Sequence, residues 1–319
     1  KWLLFNDKFL KNSQIDLSRF SAICFRIPSM LAYSVWKFNK SKFCLPYMFE
    51  LIGDPKESLV NVEDKFWKKI LFDKLGNLFS IRTSKIVSNA LVGSYVSFEH
   101  LQKKFPAKKA INIDTISSIR LDKKHILSEK SLPSIKDIKS LNIIHVGSFV
   151  AVKNQTVLLD LLKRLLDANY EAKLTFLGDG ALLEENKNKA IRLGISRHVH
   201  FEGHITGFEN IIEYLDKSNI FILPSSSEGM PRSLIEAMAR GLICFGSNRG
   251  GISELLKKEY LFELDNSQHI FETIKEALIK NEKIYNDIKD NLKLVRQFEH
   301  YNLREKRIKL LNSLKSRLK

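Results

Sequence analysis

From residue 141 to residue 256 the chain alternates short apolar runs with amphipathic segments, and this alternation restricts its fold more than any other feature. The runs Leu141–Val146, Ala172–Leu177, His198–Phe201, Ile220–Leu223 and Leu242–Phe245 have the length of strands, and each leads into Gly, Pro or Ser. The segments that follow have helical spacing: Gln155–Asp167, Ala181–Leu193, Phe208–Lys217 and Pro231–Arg240. In the first of these, Leu158, Leu159, Leu162, Leu165 and Leu166 share a face. Strands alternating with helices predict an α/β fold with a parallel sheet covered by helices. Such sheets bind ligands at the carboxyl ends of their strands, so the turns after these runs are where chemistry is expected.

Residues 1–126 are less regular but still α/β. Ala22–Arg26, Tyr47–Ile52, Lys85–Val87 and Ala110–Ile113 read as strands, and Asn61–Phe79 as a helix with Phe66, Ile70 and Leu78 apolar. The polar stretch Ser128–Lys139 suits an interdomain linker. Beyond about residue 267 the pattern is helical and ends in Asn302–Lys319, with Leu303, Ile308, Leu311, Leu314 and Leu318 apolar. The division expected is therefore 1–138, 139–300 and a closing helix, 301–319, packing back on the first domain.

At 319 residues the chain is long enough for two α/β domains, each with its own core. Cys24, Cys44 and Cys244 lie far apart, which excludes a disulfide framework or a zinc site and suits a cytoplasmic protein. No apolar run approaches the roughly 18 residues needed to span a bilayer. Lys1–Phe5 is interrupted by Asn6, Asp7 and Lys8, too soon for a signal-peptide core. The net charge of +16 is uneven: residues 1–126 hold 22 Lys and Arg against 11 Asp and Glu. That surplus can serve an anionic membrane, nucleic acid or an anionic substrate, or be a solvated surface. Lys103, Lys104, Lys108 and Lys109 bracket Phe105-Pro106, a pattern suited to peripheral contact with the inner face of an anionic membrane. No aromatic-interleaved basic stretch of the kind that binds nucleic acid is present, and no nucleic-acid partner is expected.

The turn after Ile220–Leu223 carries the chemistry. Pro224 ends the strand, Ser225-Ser226-Ser227 form a polar loop, and Pro231 suits the first helical position. The N–H groups at Arg232 and Ser233 then face out of the helix start, where the helix dipole adds to their pull on a diphosphate. Glu228 and Glu236 flank this anion site. Like charges bar both from the phosphates; they can serve hydroxyl groups on either side, one on a ribose and one on a sugar, or Glu228 is a charge at the helix start and Glu236 a solvated face residue.

These residues resemble family 4 of the retaining glycosyltransferases. The family's Glu-x7-Glu motif matches Glu228 and Glu236, within "EGMPRSLIEAMARG". "HVGSFVAVKN" (145–154), "LTFLGDGALLEE" (174–185), "VHFEGHI" (199–205) and "SNRGGISELL" (247–256) stand around it in the family's order. The resemblance implies a GT-B fold, two Rossmann-like domains facing a central cleft, with the N-terminal one reduced or truncated because its opening strand and Gly-rich loop are not visible. It implies that Lys153 contacts the donor phosphates at the loop of Gly147 and Ser148, and that Gly178 turns beside it. Glu228 would hold the transferred sugar, approached by the backbone of Gly229 and Met230. Pro231, Arg232 and Ser233 would cradle the diphosphate, Glu236 would hold the ribose, and His204 and Ile205 would border the base. Glu228 and Lys153 are the catalytic candidates. The family's usual Arg after the first glycine is here Ser148, so Arg249 or Arg232 would have to replace that charge.

The first domain resembles the family more faintly. "LPYMFELIGDP" (45–55) corresponds to a turn where many members place a His-Asp pair, here Gly53-Asp54. "SKIVSNAL" (84–91) would place Ser88 at the acceptor side. The function implied is retaining, metal-independent transfer from a nucleotide-diphosphate sugar, such as a UDP- or GDP-sugar, to a cell-surface glycan or lipid-linked acceptor. No cofactor and no metal site are expected. The alternatives are a GT-B epimerase or phosphorylase, and a non-catalytic nucleotide- or nucleic-acid-binding protein.

Overall fold

The computed structural model describes residues 16–29, 31–57, 66–132 and 140–318. The readings of Lys1–Phe5, of the helix start at Asn61 and of residues 133–139 lie outside these. The described chain forms two compact units: residues up to Ser118 together with those from Tyr301, and Ile119–His300.

The first unit runs β1 (Ile23–Ile27), α1 (Ala32–Lys42), β2 (Tyr47–Leu51), α2 (Phe66–Ser88), β3 (Val92–Tyr95), α3 (His100–Lys104) and β4 (Asn112–Thr115). Its four strands are parallel and lie in chain order. The strand read at Lys85–Val87 is instead the last turn of α2, which buries Thr83, Ile86 and Val87 and leaves Ile70 and Leu78 exposed. A short apolar pair fits either element, and here its burial comes from one helix face. The true strand, Val-Gly-Ser-Tyr, is masked by Gly93 and Ser94, both poor strand formers. Tertiary packing explains the glycine: a Cβ at Gly93 would lie 1.9 Å from the Phe49 ring. The Phe49 ring also meets Tyr95 edge to face at 5.0 Å, and Tyr95 Oη donates to the Phe105 carbonyl at 2.6 Å.

The second unit runs β5 (Leu141–Val146), α4 (Thr156–Asp167), β6 (Ala172–Leu177), α5 (Leu183–Arg192), β7 (Val199–Phe201), α6 (Phe208–Asp216), β8 (Ile220–Leu223), α7 (Arg232–Ala239), β9 (Ile243–Ser247), α8 (Ile252–Leu255) and β10 (Leu261–Phe262). Helices α9 (Ser267–Leu278) and α10 (Asn281–Val295) follow. All strand pairs are parallel, in the order β10-β9-β8-β5-β6-β7. This is a doubly wound sheet that reverses its direction of growth between β5 and β8. Every residue of β8 and β9 is buried, as expected for strands covered on both faces. Helix α4 buries Leu161 and leaves Leu166 only half-buried, because α9 packs along it as well as the sheet. Residues 119–132 belong to this unit, ahead of much of the expected linker: Leu127 N–H donates to the Ala239 carbonyl, and Arg240 to that of His125.

Helix α11 (His300–Lys315) returns to the first unit from Tyr301. Asn112 Nδ2 donates to Ser313 Oγ at 2.9 Å, Lys306 pairs with Asp114 at 3.1 Å, and Arg307 donates to the Ser117 carbonyl. Its buried face is Leu303, Leu310 and Leu314; Ile308 and Leu311 are exposed, contrary to the spacing first read. Adjacent leucines at 310 and 311 allow either face, and contact with the first unit selects one.

Gly93→Ala is expected to destabilise the first unit by roughly 1–3 kcal/mol, the usual cost of overpacking. Urea denaturation followed by far-UV circular dichroism measures it; an unchanged midpoint would contradict the role given to the Phe49 contact.

Candidate active site

The site grows from the reversal between β5 and β8. These strands pair only at Ile143↔Ile220 and Ile144↔Phe221, so their carboxyl ends separate into a crevice. The chain leaving β5 forms the loop 147–155, and the chain leaving β8 forms 224–231.

The first loop is held by its neighbours. Gly147 N–H donates to the Leu177 carbonyl and Phe149 N–H to that of Asp179, both at 2.9 Å. Gln155 Nε2 donates to the Ser148 carbonyl at 2.8 Å. Gly178, at φ 146°, sits so close that a Cβ would lie 2.1 Å from the Gly147 carbonyl oxygen. The Gly178–Gly180 turn therefore shapes the loop through its backbone. Gly178 N–H in turn donates to the Gly203 carbonyl, placing the segment of half-buried Ile205 and exposed His204 beside this turn.

A short 3-10 turn, Ala151–Lys153, aims Lys153 across the crevice. Its ammonium lies 2.5 Å from Glu228 Oε1, with both side chains largely shielded from solvent. Ser226 N–H donates to the Val152 carbonyl at 2.8 Å, a second link between the loops. The Glu228 loop is backed by the turn after β9. Gly251 N–H donates to the Glu228 carbonyl at 3.0 Å, and Cβ atoms at Gly250 and Gly251 would lie within 2.2 Å of the Glu228 and Gly229 carbonyl oxygens. Only glycines allow this close stacking of two turns.

Pro231 is the N-cap of α7, with φ −75° and ψ 108°, and the helix starts one residue later than expected. The N–H groups of Arg232 and Ser233 thus fall in the first turn, where no intrahelical acceptor exists. Met230 is buried, while Arg232, Ser148 and Arg249 are exposed. Glu236 is half-buried one turn beyond Arg232. Burial holds its carboxyl above the usual carboxylate range, and the Arg232 guanidinium opposes this.

The remaining predicted residues lie in the first unit. Asp54, after β2, is buried; it accepts the Lys56 N–H at 2.8 Å and pairs with the Lys104 ammonium. Its carboxylate lies with Glu57 and His100, the group of possible metal ligands found among the described residues. Ser88 ends α2, and its hydroxyl donates back to the Ser84 carbonyl. The serine just past β3 is Ser97, fully buried, whose Oγ accepts the Leu101 N–H at 2.9 Å. Phe105 is buried, and Lys103 pairs with Glu99, so the basic pattern around Phe105-Pro106 presents no aromatic anchor. No described helix is long and apolar enough to cross a membrane. Sequence reasoning did not single out Gln155 or His145, which border the crevice.

A doubly wound sheet with a cation, a carboxylate and a helix start at its switch point is the α/β arrangement suited to an anionic ligand. Residues 130–295, more than half of the chain, match the family of glycosyl transferases group 1, and the chain belongs to that family. Protein CapJ of Staphylococcus aureus is 25% identical over 99% of this chain and 78% of its own length. The capsular polysaccharide biosynthesis glycosyltransferase CapH of the same species is 33% identical over 39% of this chain and 36% of its own. HepE of Anabaena, solved in complex with UDP, superposes with a TM-score of 0.67 at 16% identity, covering 97% of this chain and 82% of that one. At that identity the likeness establishes the fold, which is GT-B.

The raised carboxyl of Glu236 sets the sign of a pH effect. Ionising it in the folded protein costs more than in the unfolded chain, so its penalty is absent below the ordinary carboxylate value, grows as pH rises from there to the raised folded one, and is constant above it. Glu236→Gln is therefore expected to gain stability relative to wild type between pH 4 and pH 7. Paired urea titrations across this range check it; a difference independent of pH would contradict the burial cost.

Proposed function

We propose that the protein transfers a sugar from a nucleotide-diphosphate sugar to a glycan or lipid-linked acceptor in polysaccharide assembly, with retention of configuration and without a metal. The observation that carries this reading is the Lys153–Glu228 pair across the switch-point crevice, beside the first turn of α7. The diphosphate would lie against Gly147, Ser148 and the N–H groups of Arg232 and Ser233. Lys153 would take up charge developing on the leaving diphosphate, and Glu228 would accept hydrogen bonds from hydroxyls of the sugar. Glu236 would hold the ribose, with Gly203–Ile205 bordering the base. As the anomeric carbon leaves the diphosphate oxygen, the acceptor oxygen bonds on the same face and its proton passes to the diphosphate. The name of CapH, and the UDP bound by HepE, support a polysaccharide role and a uridine donor. Contact with an anionic membrane would fall to the basic first unit, where Lys108 and Lys109 are followed by exposed Ile111, just before the edge strand β4, and exposed Ile113 within it.

Wild type is expected to hydrolyse or transfer one sugar from a panel of UDP- and GDP-sugars. Glu228→Gln and Lys153→Met should each lower turnover by roughly 10²–10³-fold, the range for losing one group that stabilises transition-state charge. Product analysis without acceptor separates transfer from epimerisation. Failure of every nucleotide diphosphate to bind at millimolar concentration would end this reading.

A further inference from the structure

His145 is the penultimate residue of β5 and is fully buried. Because β5 and β8 stop pairing after Ile144 and Phe221, the Ile222 carbonyl lacks a β5 backbone donor, and the imidazole replaces it: Nδ1 lies 2.9 Å from that oxygen. A carbonyl only accepts, so Nδ1 carries the proton and neutral His145 presents a bare lone pair at Nε2. Nε2 has no hydrogen-bond partner among the described residues. It lies 3.1 Å from where a Cβ on Gly147 would be, and the Lys153 side chain lies 3.6 Å from the same point. Among the described residues of this unit the other buried side-chain atoms without partners are Gln155 Oε1 and Ser225 Oγ, both on segments that leave β5 and β8. All three orphaned polar atoms thus lie on the segments whose separation forms the crevice.

The charge balance at this loop gives the orphan a use. Lys153 is already neutralised by Glu228 at 2.5 Å, and position 148 holds an uncharged serine. A diphosphate ester brings two negative charges, against which the α7 start offers about half a positive charge. Arg232 and Arg249 are exposed to solvent, which screens their charge, and Arg232 also acts on Glu236. The groups facing the imidazole are the Phe176 ring from β6, the Ile222 carbonyl from β8, and Gly147 and Lys153 from the loop, with Glu228 beyond Lys153. A proton on Nε2 would add a full positive charge beneath the loop while Nδ1 keeps its bond to Ile222.

We propose that His145 takes up a proton from solvent when a nucleotide diphosphate occupies the Gly147–Lys153 loop, and so supplies a buried cation beneath the phosphate site. This rests on the nucleotide-sugar reading above and assigns His145 as a positioning residue for the donor. In the free protein, burial, with the Lys153 ammonium as a lesser cause, lowers His145 to about 4 against the opposing hydrogen bond to Ile222. The bound diphosphate brings negative charge to the loop above Nε2, and its attraction for an imidazolium is set against the burial cost. Proton uptake on binding means tighter binding at lower pH, by up to about tenfold per pH unit while the free protein is neutral at His145 and the complex is charged.

The test is isothermal titration calorimetry with UDP-glucose and GDP-mannose, whose esterified phosphates do not titrate between pH 5.5 and 7.5. Buffers of differing ionisation enthalpy report the protons taken up. Wild type should take up part of a proton at pH 6 and bind more weakly as pH rises. His145→Gln, whose amide cannot be protonated in this range, should take up none and show a flat profile. Histidine ring ¹⁵N spectra of wild type should change from the neutral Nδ1–H form to imidazolium on binding, a readout that needs no variant. Binding without proton uptake, uptake unchanged in His145→Gln, or a ring that stays neutral in the complex would overturn the assignment of His145 alone. Absence of binding by both probes and by UDP and GDP themselves would overturn the donor reading together with it.

Discussion

The structure of the second unit depends on two strands that begin as neighbours and then part. β5 and β8 share hydrogen-bonded register at two residue pairs, and beyond those the chain departs to opposite faces of the sheet. Backbone groups at that point lose their strand partners and must find others. Side chains and loop amides fill the gap: His145 on the Ile222 carbonyl, Ser226 N–H on Val152 and Gln155 on Ser148. The crevice follows from the topology, and the residues around it give it chemistry.

Rigidity at this site comes from backbone stacked on backbone. The Gly178 turn supports the loop carrying Gly147, and the Gly250-Gly251 turn supports the peptide of Glu228 and Gly229. Each approach is closer than a Cβ permits, so these turns fix where the two loops stand without spending charged side chains. Lys153 and Glu228 then meet across the gap with their orientation already set. A paired cation and carboxylate suit a ligand carrying both phosphate and hydroxyl groups, because each partner can exchange the other for a group on the ligand.

Much of the second unit was legible in the sequence. Its strands are short, apolar and bounded by glycine or proline, so Leu141–Val146, Ala172–Leu177 and Ile220–Leu223 fall where the pattern places them. The first unit was harder to read, because its local signals conflict with its packing. Gly93 and Ser94 belong to a strand only because Phe49 lies over the sheet there, while Ile86 and Val87 look like a strand and complete a helix. The grouping of Lys103, Lys104 and Phe105 suggested an exposed surface, yet Phe105 is buried and Lys104 is tied to Asp54, fifty positions earlier.

The sequence by itself determined the alternation of strand and helix from 141 to 256, the glycine turns, and the spacing of Glu228 and Glu236. These are local properties, set by side-chain periodicity and by backbone conformations available to few residues. Tertiary structure alone decided that Lys153 meets Glu228, that α11 turns Leu310 inward and Leu311 outward, and that the unpartnered nitrogen of His145 faces Gly147. Those outcomes depend on contacts between residues distant in the chain, where solvent exclusion and the strand order choose among arrangements that local sequence leaves equal.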